Sequence, residues 1–275
     1  VKTLNILRTV TKHARQTGAS NGRTWWQFAE VIWQIPPHLV RDEDIDIVDF
    51  WLQEAYGAAL VAEELGSKWL PKLLRDEGQH SATLAERLLA ALYQVRFVNQ
   101  QIGERTSRKA VFRFGPYHAE QITKKMAGLV GQKLGQKAVI VFDAKLRSIL
   151  AETKNDAWSA IWRPAIEDHE QNISRDDAES ILIDAYRDSL LAYIKASAVE
   201  AIEYLERITR DQWQTIQRIA LYAVTETFEI TRTLAARFID EKYLESNFRH
   251  EMWHFLHKRY AELEERDREK VLALI

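Results

Sequence analysis

Apolar residues recur at three- and four-residue spacing along almost the whole chain, and that periodicity restricts the fold to packed helices. Residues 2–16 place Leu4, Leu7 and Val10 on one stripe, which Gly18 ends. Residues 24–35 carry Trp25, Phe28, Ala29 and Ile32 up to the break at Pro36-Pro37. An acidic first turn, Asp42-Glu43-Asp44, suits a helix N-terminus and leads into Ile47, Val48, Trp51 and Leu52. Short helices are expected at 58–65 and 67–74 around Gly66, then a longer one at 80–98 through Leu84, Leu88, Leu92 and Val95. Residues 99–116 are the least regular stretch, end in Phe114-Gly115-Pro116, and are where an internal hinge is expected. Helices follow at 117–133 and 136–153. The run Ala138-Val139-Ile140-Val141-Phe142 is β-prone, but its surroundings assign it to helix. The remaining helices are read at 176–195 (Ile183, Tyr186, Leu190, Tyr193), from Val199 to Ile208, from Trp213 to Val224, and at 248–260 and 266–275.

Helices of ten to twenty residues joined by short turns stack as a bundle or as a solenoid. No strict repeat period is visible. The expectation is therefore an all-α chain, an α-solenoid of stacked, degenerate HEAT/TPR-like helix pairs, with 1–275 a single helical-repeat fragment. Ten glycines and five prolines are too few for a β-sandwich with a turn every ten residues or so. The absence of cysteine removes disulfides, thiolate nucleophiles and cysteine zinc sites, and fits a cytoplasmic location. No apolar run approaches the roughly 18–20 residues that span a bilayer, so no membrane association is expected. The chain starts at Val1 and ends on the apolar Val271-Leu272-Ala273-Leu274-Ile275, which reads as a piece of a longer protein. Nine tryptophans suit helix seams or partner anchoring.

Charge is uneven. Residues 96–147 hold eleven Lys/Arg against Glu104, Glu120 and Asp143, a net of +8, whereas 148–275 hold 17 basic and 25 acidic residues, a net of −8. A basic segment attracts phosphates, so a nucleic-acid-binding helical array through 96–147 is one alternative function. No nucleic-acid motif surrounds Lys124, Lys125, Lys133 or Lys137. Pairing with the acidic segment, or a solvated face, is therefore the preferred reading of the charge.

His250-Glu251-Met252-Trp253-His254 is a literal H-E-x-x-H, which in zinc peptidases sets two imidazoles one turn apart with the Glu as general base. A zinc-dependent hydrolase is thus a second alternative. Against it, His257 and Tyr260 occupy the glycine and third-histidine positions of the extended motif, and only 21 residues follow His254. A helical wheel puts Phe248, Met252, Phe255 and Leu256 on the core face and the histidines roughly opposite. Val139-Ile140-Val141-Phe142-Asp143 imitates a nucleotidase strand ending in a magnesium ligand, yet no phosphate-binding loop precedes it, which leaves it as core. Glu77–His80 and Glu251–His254 are too few Glu-x-x-His pairs for a di-iron bundle. Glu167, Asp168 and Glu170 around His169 read as a solvated helix end, and His13, His38 and His80 as surface or structural residues. No residue is therefore assigned a catalytic, cofactor-binding or metal-binding role, and no cofactor is expected.

Several segments resemble a known family. Trp25-Trp26-Gln27-Phe28 through Ile35-Pro36-Pro37 to Trp51-Leu52 looks like a helix–PP–helix unit. Val61-Ala62-Glu63-Glu64-Leu65-Gly66 and Trp69-Leu70-Pro71-Lys72-Leu73-Leu74 continue the likeness. So do Gln217-Arg218-Ile219-Ala220-Leu221-Tyr222 and Phe248-Arg249-His250-Glu251 with Phe255-Leu256 and Tyr260. Together they resemble the C-terminal helical-repeat region of bacterial STAND NTPases of the antiviral Avs type. In that family an effector and an NTPase module precede repeats that recognise a phage protein, such as terminase or portal. The resemblance implies a non-catalytic sensor segment with a protein partner and assembly through the parent NTPase. It also makes Arg249-His250-Glu251 part of a repeat helix.

Overall fold

The computed structural model describes residues 2–19, 21–53, 57–102, 105–172 and 177–274. It opens with helices α1 (Lys2–Thr17), α2 (Gly22–Ile32), α3 (Glu43–Trp51), α4 (Ala58–Glu64), α5 (Leu70–Arg75) and α6 (Gln79–Leu92). A hairpin of β1 (Val95–Ile102) and β2 (Arg105–Phe112) follows. The rest is helical: α7 (Pro116–Leu134), α8 (Gln136–Thr153), α9 (Ser159–Trp162), α10 (Ala178–Ala196), α11 (Ala198–Ile208), α12 (Gln214–Glu226), α13 (Phe228–Thr231), α14 (Arg249–Arg259) and α15 (Glu265–Leu274). The helical class is as expected. Among the described residues no helix is long and apolar enough to cross a membrane.

In the first third, α1 buries Leu4, Leu7, Thr11 and Ala14, whereas Val10, expected on the same stripe, faces outward. Aromatic rings fill the seam behind it. Trp25 stacks over Trp51 at 6.3 Å between centroids, Phe28 and Phe50 meet Trp25 edge-on, and the Trp51 indole donates to Thr11 Oγ1 at 2.9 Å. The break expected at Gly66 is instead a π-helical turn, Leu65–Trp69, that joins α4 to α5. A Cβ at Gly66 would lie 2.9 Å from Ile122, so glycine here lets α7 approach.

The hairpin corrects two expectations. The helix read at 80–98 stops at Leu92, and most of the irregular stretch 99–116 is strand. In the register Val95↔Phe112 and Phe97↔Ala110, these four residues share one face. Val95, Ala110 and Phe112 are buried, and β2 packs on α7, α8 and α10. Gly115, at φ 87°, then turns the chain into α7 at Pro116.

Helix α10 is the spine of the second half. It is buried nearly all round, which suits a helix packed on several sides, and it contacts α7, α8, α11, α12 and β2. The approach of α7 is closest at Gly131, where a Cβ would come within 2.6 Å of Ser189 Cα; Ser189 Oγ donates to the Ala127 carbonyl at 2.8 Å. Residue 176, where the sequence starts this helix, lies outside the described residues. Asp177 caps its start by accepting from Ser180 N at 2.7 Å. On α11, Val199 is exposed although its spacing puts it on the core stripe. The last helix matches the stretch expected at 266–275, of which Ile275 lies outside the described residues. Extensive helix–helix contacts join helices no more than three apart in the chain.

Candidate functional site

Helix α14 carries the whole H-E-x-x-H segment, and its glutamate is committed to structure. Glu251, 1% exposed, receives Arg218 Nε and Nη2 of α12, each at 2.9 Å, and the backbone N–H of Ile166 at 3.0 Å. Both carboxylate oxygens are thus occupied by a bidentate guanidinium, which leaves none to act as a general base toward water. The wheel places Phe248, Met252 and Phe255 correctly but puts the histidines opposite the core, and for His254 the structure corrects this. His254 is buried, with Nε2 2.7 Å from Glu226 and Nδ1 3.4 Å from Glu167. His250 Nε2 lies 3.0 Å from Glu167, and exposed His257 stacks on Trp253 at 4.9 Å. The core reaches further round α14 than its own sequence indicates, because a distant loop covers that side. Burial works to raise the Glu226 carboxyl, but hydrogen bonds from Lys258 and His254 outweigh it and hold the group below the usual range. Among the described residues no group of three or more histidine or acidic side chains is placed to hold a metal ion.

The covering loop is 163–172. Glu167 and Asp168 sit in this loop, not at a solvated helix end, and are paired: Glu167 with the two histidines, Asp168 with Arg187 at 3.2 Å. The loop is buried at Arg163, Ala165, Ile166 and Asn172, where backbone carbonyls need partners, and three buried guanidinium groups supply them. Arg163 donates to Ala165 O at 2.8 Å and to Asp184 at 2.6 Å. Arg187 reaches Ile166 O at 2.8 Å, and Arg218 reaches Arg163 O at 2.8 Å and Pro164 O at 3.0 Å. Asn172 adds two bonds, from Ala165 N and to Glu167 O. The loop is pegged to α10, α12 and α14 at once.

That framework fixes what precedes it. Helix α9 and the Trp158 just before it stand as a ridge in which Trp158 is 64% exposed and Ile161 69% exposed, with Trp162 half-buried beside them. On one side lies an open cavity of about 320 Å³ between the hairpin and the start of α10, lined by Lys109, Asn155, Trp158, Trp162, Asp177 and Glu179. On the other side a cavity of about 380 Å³ is lined by Ala160, Pro164, Asn247, Arg249, His250 and Trp253, the last 59% exposed. Trp158 thus stands at the rim of one hollow and Trp253 at the rim of the other, with Ile161 exposed on α9. Singly exposed apolar residues are ordinary, but a rimmed cluster is the usual form of an interaction site.

The other tryptophans sort by packing. Trp25, Trp51 and Trp69 are fully buried, and Trp26, Trp33 and Trp213 half-buried. Residues 154–175 carry no helical period, so spacing alone does not single out the ridge. Its one local signal is the pair of tryptophans four apart in Trp158-Ser159-Ala160-Ile161-Trp162. Among the basic residues of 96–147, Arg113 pairs with Asp49, Lys137 with Glu86, Arg108 with Glu152, Lys124 with Glu120, and Arg147 with Asp143 and Asp211. Asp143, the imitation magnesium ligand, is buried in α8 and holds Arg147 at 2.9 Å. His80 bonds the Val40 carbonyl at 2.7 Å. The chain matches no family model, no curated protein and no solved structure.

Proposed function

We propose that this chain is a non-catalytic protein-recognition scaffold that holds the α9 ridge toward a partner. The observation that carries the reading is the exposure of Trp158 and Trp253 at the rims of two cavities, with exposed Ile161 on α9, on a base fixed by Arg163, Arg187 and Arg218. Aromatic anchors beside pockets dominate binding energy at interfaces, and a rigid base spares the ordering cost of association. Packing between helices close in sequence supports reading the array as an α-solenoid segment, an architecture that offers long surfaces to partners. With the resemblance noted above, the reading becomes the sensing segment of a cytoplasmic antiphage STAND NTPase, with a phage terminase or portal protein as partner.

Co-expression with tagged terminase and portal proteins, followed by pull-down in the context of the full-length protein, tests this. Retention of either, lost in Trp158→Ala, is the expected result; consistent absence of binding would overturn it.

A further inference from the structure

The cavity between the hairpin and α10 contains a group that the ridge alone does not use. Glu179 lines it, is 8% exposed, and has a buried Oε1 with no hydrogen-bond partner among the described residues. Buried polar atoms are nearly always satisfied, so a nine-tenths buried carboxylate with an orphan oxygen, on a residue that lines a hollow, marks where a ligand belongs. The neighbouring charges are already engaged. Asp177 caps α10 through Ser180 N, and Asp156 spends both oxygens on Gln214 N at 2.7 Å and Thr215 N at 2.9 Å, capping α12. Arg108 of β2 pairs with Glu152 of α8 at 3.1 Å, and Arg163 is held by the loop and Asp184. Lys109 is exposed and its charge acts on Asp177.

We propose that this cavity receives a cationic side chain of the protein partner, an arginine guanidinium or a lysine ammonium, with Glu179 as its counter-ion and Trp158 and Trp162 as its walls. Two acids and two bases line the cavity, but Arg108 is already paired with Glu152 and Asp177 with the α10 backbone, which leaves Glu179 as the buried charge without a hydrogen-bond partner. A cation finds both a carboxylate and aromatic faces, the combination that binds ammonium and guanidinium groups. Guanidinium fits best, since it only donates hydrogen bonds and is flat enough to lie against an indole. Burial, with Asp177 and then Asp156 adding to it, pushes the Glu179 carboxyl up to about 8. At neutral pH the group is therefore mostly protonated, and a cation that binds its ionised form releases a proton. Affinity then rises with pH, by roughly tenfold per unit well below pH 8, and levels off above it.

The identity of the donor rests on the recognition reading above, but the chemistry is testable without any partner. A blocked pentapeptide with one central arginine among glycines is titrated into the chain at pH 6, 7.5 and 9, followed by tryptophan fluorescence and calorimetry. The citrulline analogue and spermidine serve as comparisons. The expected results are binding at least tenfold tighter at pH 9 than at pH 6, loss of that dependence with at least tenfold weaker binding in Glu179→Gln, and tighter binding in Lys109→Ala. Equal binding by the citrulline peptide or by a folded Glu179→Gln variant overturns the proposal, as does no binding at any pH. Tighter binding of spermidine than of the peptide overturns the assignment to a partner's side chain. Because the peptide titration needs no phage protein, its failure is separable from failure of the recognition reading.

Discussion

Glu251 shows how much a residue's role depends on partners its own segment does not contain. Its spacing to His250 and His254 is legible in the sequence, but Arg218, 33 residues earlier, and Ile166, 85 residues earlier, decide what it does. Replacing one member of a buried ion pair strands the other, at a cost of about 3–5 kcal/mol. Glu251→Ala is accordingly expected to lower the denaturant midpoint severely, by that order in free energy. A zinc hydrolase would instead retain its fold and lose only activity. Glu179 is equally opaque, because an acid in the first turn of a helix ordinarily complements the dipole from solvent. Its consequence for stability has a definite sign. A carboxyl raised to about 8 in the folded chain, against 4.5 for the ordinary group, binds more protons folded than unfolded between those values. Its contribution is present in full below pH 4.5 and is lost as pH rises through 8. Thermal melts should therefore show Glu179→Gln matching the parent near pH 4 and exceeding it above about pH 8.

The helices themselves are largely legible, since spacing of three and four continues through α1, α6, α8 and α10. The hairpin is not. Leu84, Leu88 and Leu92 set a helical stripe that Val95 happens to extend, so the switch to period two at Val95 and Phe97 is hidden inside it. The cross-strand partners that fix the register, Ala110 and Phe112, come more than a dozen residues later. Close helix packing is also invisible: Gly131 looks like any glycine until Ser189 is placed against it. Gly131→Val should force α7 away from α10 and cost roughly 3 kcal/mol, the upper range of overpacking, read from urea unfolding. A Cβ added at Gly128 of the same helix would meet nothing within 4 Å, so Gly128→Ala is expected to be neutral or slightly stabilising in the same assay. The ridge is independent of such packing. Trp158→Ala should change stability by no more than about 0.5 kcal/mol, as for other exposed positions.

Across the whole molecule, extensive helix packing stays within three helices along the chain, α7 on α10 most of all, and the loop 163–172 is the conspicuous departure, reaching forward to α14 through Glu251. That long-range tie turns an irregular connection into a rigid mount for α9. It couples the stability of the C-terminal helices to the geometry of the proposed recognition surface. The most direct test is the affinity of purified full-length protein for terminase and portal proteins, with Trp158→Ala/Ile161→Asp measured beside the parent. The parent is expected to bind one of them, and the double variant to bind it at least tenfold more weakly with its melting temperature unchanged. No binding by the parent, or equal binding by both, would contradict a recognition role for the α9 ridge.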